Sequence, residues 1–78
     1  MKREELVKLP HGFVGGFDGQ KWLIWESIED FDRNGYPYEA VCEWKNGQNV
    51  AKSILTEAEA RTFANKMWKS WKLKEQGE

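Results

Sequence analysis

The sequence predicts an α+β domain: a three-stranded antiparallel β-meander, one C-terminal α-helix packed on one face, and an N-terminal arm. Three observations carry this reading. Asn34-Gly35 and Asn46-Gly47 each separate two apolar runs, and Asn-Gly in that setting is the strongest short-range hairpin signal, because both residues tolerate the positive φ of a type I′ turn. Thr56-Glu57-Ala58-Glu59 has the spacing of a capping box, in which the N-cap hydroxyl and the Glu side chain satisfy each other's backbone donors. Beyond it, Ala60, Phe63, Ala64, Met67, Trp68 and Trp71 recur at helical spacing and form one apolar stripe.

In chain order, residues 1–20 read as an arm packed on the domain and residues 21–75 as the βββα unit. Met1 to Leu9 has room for one or two helical turns, which Pro10 ends. From His11 to Gly19, four glycines alternate with Phe13, Val14 and Phe17. Glycine favours irregular paths while the apolar residues favour burial, so the arm is expected to be ordered against the body. Trp22 to Phe31, Tyr36 to Lys45 and Asn49 to Leu55 are the three strands. Pro37 falls at a strand start, where its missing N–H is tolerated. Lys69, Lys72 and Lys74 near the helix end suit its dipole, and Gln76, Gly77 and Glu78 are expected to fray.

If both Asn-Gly pairs close two-residue turns, the registers follow. Ser27 then faces Cys42 and Trp25 faces Trp44 across the first hairpin, while Cys42 faces Ala51 and Ala40 faces Ser53 across the second. One face collects Leu23, Trp25, Ser27, Tyr38, Ala40, Cys42, Trp44, Ala51, Ser53 and Leu55, and its small centre is expected to receive the helix. The other collects Trp22, Ile24, Ile28, Val41, Val50 and Ile54. Six apolar residues are too many for a solvated sheet face. Either the arm covers them or they form a partner or homodimer interface. The same register sets Glu26 against Glu43, a like-charge pair that is unfavourable unless a cation meets it.

Composition narrows the function classes. Seventy-eight residues with 40% hydrophobic and 32% charged side chains make one small globular domain. Five Trp, two Tyr and four Phe supply much of its buried area. The net charge of −1 speaks against a protein that coats nucleic acid or anionic membrane. No run of 18 apolar residues exists to span a bilayer, and the opening Met-Lys-Arg-Glu-Glu is not a secretion signal. A single cysteine, Cys42, suits a reducing, cytoplasmic compartment.

Catalysis finds little support. His11 is the only histidine and lies in the glycine-rich arm; Cys42 is expected to face the core. No metal-ligand spacing and no nucleophile–base set can be assembled, so no metal or other cofactor is expected and the chain reads as a non-enzyme. The glycines of residues 12–16 neither follow a strand nor open a helix, unlike a phosphate loop. Asp30-Phe31-Asp32-Arg33-Asn34-Gly35 matches the first half of a calcium loop, yet its twelfth position is Val41 instead of a bidentate Glu. An acidic turn is the simpler reading.

The charge distribution is more informative. Residues 18–43 hold seven acids and two bases (−5), and residues 44–74 hold seven bases and two acids (+5). The favoured function is therefore non-catalytic binding to another protein with a basic surface. Trp22, Ile24, Ile28 and Val41 would supply the apolar anchor and Glu26, Glu29, Asp30, Asp32 and Glu43 the orientation, with Trp68 as a second anchor. By size and charge alone the chain resembles small anti-CRISPR proteins, phage- or plasmid-type inhibitors of nucleic-acid-handling host machines. The alternative is a small DNA- or RNA-binding domain using Arg61, Lys66, Lys69 and Lys72 on the helix. Over residues 21–71, the order of sheet and capped helix ending in TEAEARTFANKMW resembles the arm-type DNA-binding domains at the start of tyrosine recombinases. That resemblance implies a basic sheet, whereas the first two strands here are acidic and repel phosphate.

Overall fold

The structure is a computed structural model describing residues 1–76; of the three residues expected to fray, Gln76 is the last residue of the C-terminal helix, and Gly77 and Glu78 lie outside the described residues. It is a small α+β domain with two antiparallel sheets and a long C-terminal helix. Strands β1 (Val7–Lys8), β2 (Val14–Phe17) and β3 (Trp22–Trp25) form the first sheet in sequential order. Strands β4 (Ala40–Lys45) and β5 (Gln48–Ser53) form the second. Between the sheets lies a short helix, α1 (Ile28–Asp32), and after them α2 (Glu57–Gln76).

The arm is more regular than its glycines suggest. A 3₁₀ turn at Arg3–Glu5 and another at Pro10–Gly12 flank β1, and β2 pairs along its full length with β3, Val14 opposite Trp25 through Phe17 opposite Trp22. Glycine serves close packing here. A Cβ at Gly15 would stand 2.6 Å from the Leu23 carbonyl oxygen, so only a residue without one fits between β3 and Leu9. The four-residue connection Asp18–Lys21 is held by the Asp18 carboxylate, which accepts from the Gln20 and Lys21 amides at 2.8 and 2.9 Å. Those two amide bonds hold its pKa below the ordinary Asp value.

The two Asn-Gly signals resolve differently. Asn46 (φ 52°) and Gly47 (φ 78°) form the expected hairpin turn, closed by Lys45 opposite Gln48. The expected pairs Cys42–Ala51 and Ala40–Ser53 are present. Asn34-Gly35 instead ends α1. Asn34 (φ 59°) donates its N–H to the Phe31 carbonyl at 3.0 Å, and Gly35 donates to Asp30 at 2.8 Å. These are the two bonds of a Schellman motif. Ser27 opens the same helix, its hydroxyl accepting from the Asp30 amide at 3.2 Å. The expected strand Trp22–Phe31 is therefore a strand to Trp25 followed by a helix. The pairings Trp25–Trp44, Ser27–Cys42 and Glu26–Glu43 do not form.

The helix packs on the opposite face of the strands from the one expected. The sheets meet through an isolated bridge, with Ile24 and Tyr38 exchanging backbone bonds of 3.0 and 2.7 Å. Just beyond it, the Trp22 N–H donates to the Ile54 carbonyl at 2.6 Å. Helix α2 covers the side bearing Trp22, Ile24 and Ile54, and Leu9 and Phe13 of the arm enter the same core with Ala60, Phe63 and Ala64. Ile24 and Ile54 are wholly inaccessible, and Phe13, 1% exposed, stacks on Trp71 at 5.4 Å. The face expected to receive the helix is the outer one: Cys42 is exposed, against the expectation of a core cysteine, and Trp44 is 70% exposed. The β4–β5 register is the expected one and the side chains sort onto the two faces as expected; α2 covers the other face because Trp22, Ile24 and Ile54 on it, joined by Leu9 and Phe13, offer the larger apolar area to bury.

The capping box is present in a variant form. Thr56 Oγ1 accepts from the Glu59 amide at 3.1 Å, and the Glu59 carboxylate accepts from that hydroxyl at 3.2 Å instead of from the Thr56 backbone.

Candidate functional site: a groove between arm and first helix

A concavity of about 630 Å³ runs between the N-terminal arm and the start of α1. Leu6, Leu9, Phe13 and Ile28 give it an apolar lining. Its mouth carries charge of opposite sign from the two walls: Arg3 and Lys8, with the His11 imidazole, come from the arm, and Glu26 and Glu29 from the segment after β3. This volume lies within the range of ligand and anchor pockets, and an apolar floor with a few polar groups is their usual chemistry.

Both walls follow from local backbone constraints. On the arm side, Pro10 starts a single 3₁₀ turn and His11 adopts a left-handed backbone (φ 63°), which turns the chain so that Phe13 enters the core. A non-glycine residue with positive φ is uncommon and persists where its surroundings hold it. Here the His11 ring stacks on Trp68 at 4.9 Å with the planes 5° apart, and its Nε2 pairs with Asn65 Oδ1 at 2.8 Å. On the other side, the N-cap at Ser27 stops β3 and sets Glu26 and Ile28 beside the arm.

The structure thus gathers part of the expected partner-binding set. Glu26, Ile28 and Glu29 line the groove, and Trp68 braces it from behind through His11. Glu26 accepts from the Tyr38 hydroxyl at 2.6 Å; that bond first, then burial, and then the charges of Glu26 and Asp30 push the phenol up to about 12. The other acids lie elsewhere with partners of their own. Asp30 is paired with Arg33, Asp32 with Arg3 at 3.6 Å, and Glu43 lies between Lys45 and Lys52 at 3.9 Å from each. Trp22 and Ile24 are buried under α2 and the arm, and Val41 is half-buried against the same core. None of these three offers an open anchor, a correction with a plain cause: α2 and the arm cover the face on which they lie. The arm residues Leu6, Leu9 and Phe13 were not legible as lining. The apolar arm is expected to cover the sheet face, as Leu9 and Phe13 do, but nothing in the sequence sets it beside the segment after β3.

The basic residues of α2 separate into two groups. Arg61 donates to Glu57 at 3.1 Å, and the Lys72 ammonium lies 4.9 Å from the Trp68 ring centre. Lys66 and Lys69 are exposed and form no ion pair among the described residues. Among the described residues, no group of three His, Cys, Asp or Glu side chains is gathered to hold a metal ion, and no helix is long and apolar enough to cross a membrane. No family model, curated protein or solved structure matches this chain.

Proposed function

We propose that the protein is a non-catalytic binding module whose partner is another protein with a basic surface. One observation carries the reading: an apolar groove of anchor size opens between walls of opposite charge, and Glu29 stands at its mouth with no ion pair among the described residues. A partner segment offering an apolar side chain beside a Lys or Arg fits that arrangement. The apolar group gains by leaving water, and the cation approaches Glu29 and Glu26, which set orientation and on-rate more than affinity. The finer reading, a small phage- or plasmid-type inhibitor of a nucleic-acid-handling host complex, is supported by the size and charge of the chain alone.

The test is capture from nuclease-treated lysate with the native protein, Glu29→Lys and Ile28→Ser. A stoichiometric partner that the native chain retains should be lost from both variants, while their unfolding stays cooperative. Retention at native levels by both variants would exclude the groove.

A second reading has its own support. Lys66 and Lys69 form no ion pair among the described residues and lie on one exposed stretch of α2, which favours a helix-led contact with nucleic acid. Lys66→Glu with Lys69→Glu should then weaken DNA or RNA binding and lower the salt dependence of what remains. Binding unchanged by the double substitution would remove this reading.

A further inference from the structure

We infer that the free edge of β5 pairs with β5 of a second copy of this chain, joining the two hairpins into one four-stranded antiparallel sheet. This edge is remote in sequence from the groove, and its pairing is independent of what the groove binds.

The register of the hairpin sets the direction of each backbone group. A two-residue turn makes Lys45 and Gln48 a hydrogen-bonded pair, and alternation along the ladder gives Glu43–Val50 and Val41–Lys52 the same status. The N–H and C=O groups of Asn49, Ala51 and Ser53 consequently point away from β4, to a side where no strand lies among the described residues. All six β5 residues are exposed. The usual devices that blunt such an edge are missing: β5 has no proline, its six pairs run without a bulge, and its one lysine leans towards Glu43. A two-stranded hairpin is also marginal by itself, so a further strand stabilises what is already formed.

The edge is complementary to itself. A twofold axis at Ala51 sets Ala51 against Ala51 and Asn49 against Ser53 of the second copy. This is the one centre on the strand at which all three outward-pointing residues meet outward-pointing residues. Lys52 then faces Val50 of the second copy, so no like charges oppose one another. On the outer face the row becomes Cys42, Ala51, Ala51 and Cys42, small enough for close approach at the centre.

Two variants and a mass measurement test this. The native chain is expected to sediment as a dimer of twice 9.2 kDa, and Ala51→Pro as a folded monomer, because the N–H it removes is not used within the hairpin. In a Cys42→Ser background, Ala51→Cys should form a disulfide-linked dimer under mild oxidation, since a directly opposed pair has Cα atoms about 5.5 Å apart. Val50→Cys, offset diagonally from its copy, should cross-link far less. Native Cys42 should stay reduced, because three strand spacings separate the copies by about 14 Å. A native chain that stays monomeric at millimolar concentration would overturn the inference. So would a dimer that survives Ala51→Pro, or equal cross-linking at positions 50 and 51.

Discussion

Phe13 belongs to the arm by sequence and to the core by position, so its truncation measures how far the arm is part of the fold. The ring is 1% exposed and stacks on Trp71 at 5.4 Å. Phe13→Ala removes nearly the whole buried ring, and its neighbours come from both the sheet and α2, which limits collapse around the void. Such truncations cost about 3–5 kcal/mol. A chain of this length has a total stability of about 4–12 kcal/mol, at 0.05–0.15 kcal/mol per residue. With a urea m-value of about 1 kcal/mol/M, suited to a small domain, the midpoint should fall by about 3–5 M. Tryptophan fluorescence and far-ultraviolet circular dichroism in a urea titration read the shift. A displacement under about 1 M would show that the arm adds little to the core and would refute the packing described above.

Two further substitutions probe the frame of the site. Gly15→Ala should destabilise by more than about 2 kcal/mol, because its Cβ would meet the backbone carbonyl of Leu23 at 2.6 Å, which cannot swing aside, whereas Gly16→Ala meets the flexible Met1 thioether at 2.8 Å and should cost about 1 kcal/mol or less; equal midpoints in urea would contradict this. Tyr38→Phe removes the bond to Glu26 and should cost about 1 kcal/mol at neutral pH, reduced by partial exposure. Because the folded-state phenol titrates near 12 against 10.0 for the free group, that stability is complete below pH 10 and lost as pH rises towards 12. A difference from the native chain that persists unchanged above pH 12 would speak against the bond as its source.

What the sequence made legible follows from how local each signal is. The capping box at Thr56 and the hairpin at Asn46-Gly47 involve neighbours only, and both are present. Asn34-Gly35 shows the limit. A left-handed Asn serves a type I′ turn and a Schellman motif alike, and the flanking residues decide between them. Here Ser27 followed three residues later by Asp30 is an N-cap signal, which points to a helix ahead of Asn34. Once that helix replaces the strand end, the register of Ser27 and Trp25 to Cys42 and Trp44 disappears, while Trp22, Ile24 and Ile54 keep their common face, which α2 covers. The candidate site suffered from the same step. Glu26, Ile28 and Glu29 were recognisable as an acidic, partly apolar run, but their facing wall comes from the arm, and no local pattern encodes that contact.

The link between His11 and Asn65 spans 54 residues and ties the arm to α2. At a synthesis rate of about 5–20 residues per second, some 3–11 s pass between the two being made. During that interval β2 and β3 can pair, but Leu9 and Phe13 have no α2 to close over them. A ribosome that stalls before Thr56 therefore displays an arm of bare apolar side chains, a target for chaperones or for misassociation. The helix that completes this fold also ends the period in which the newborn chain is adhesive.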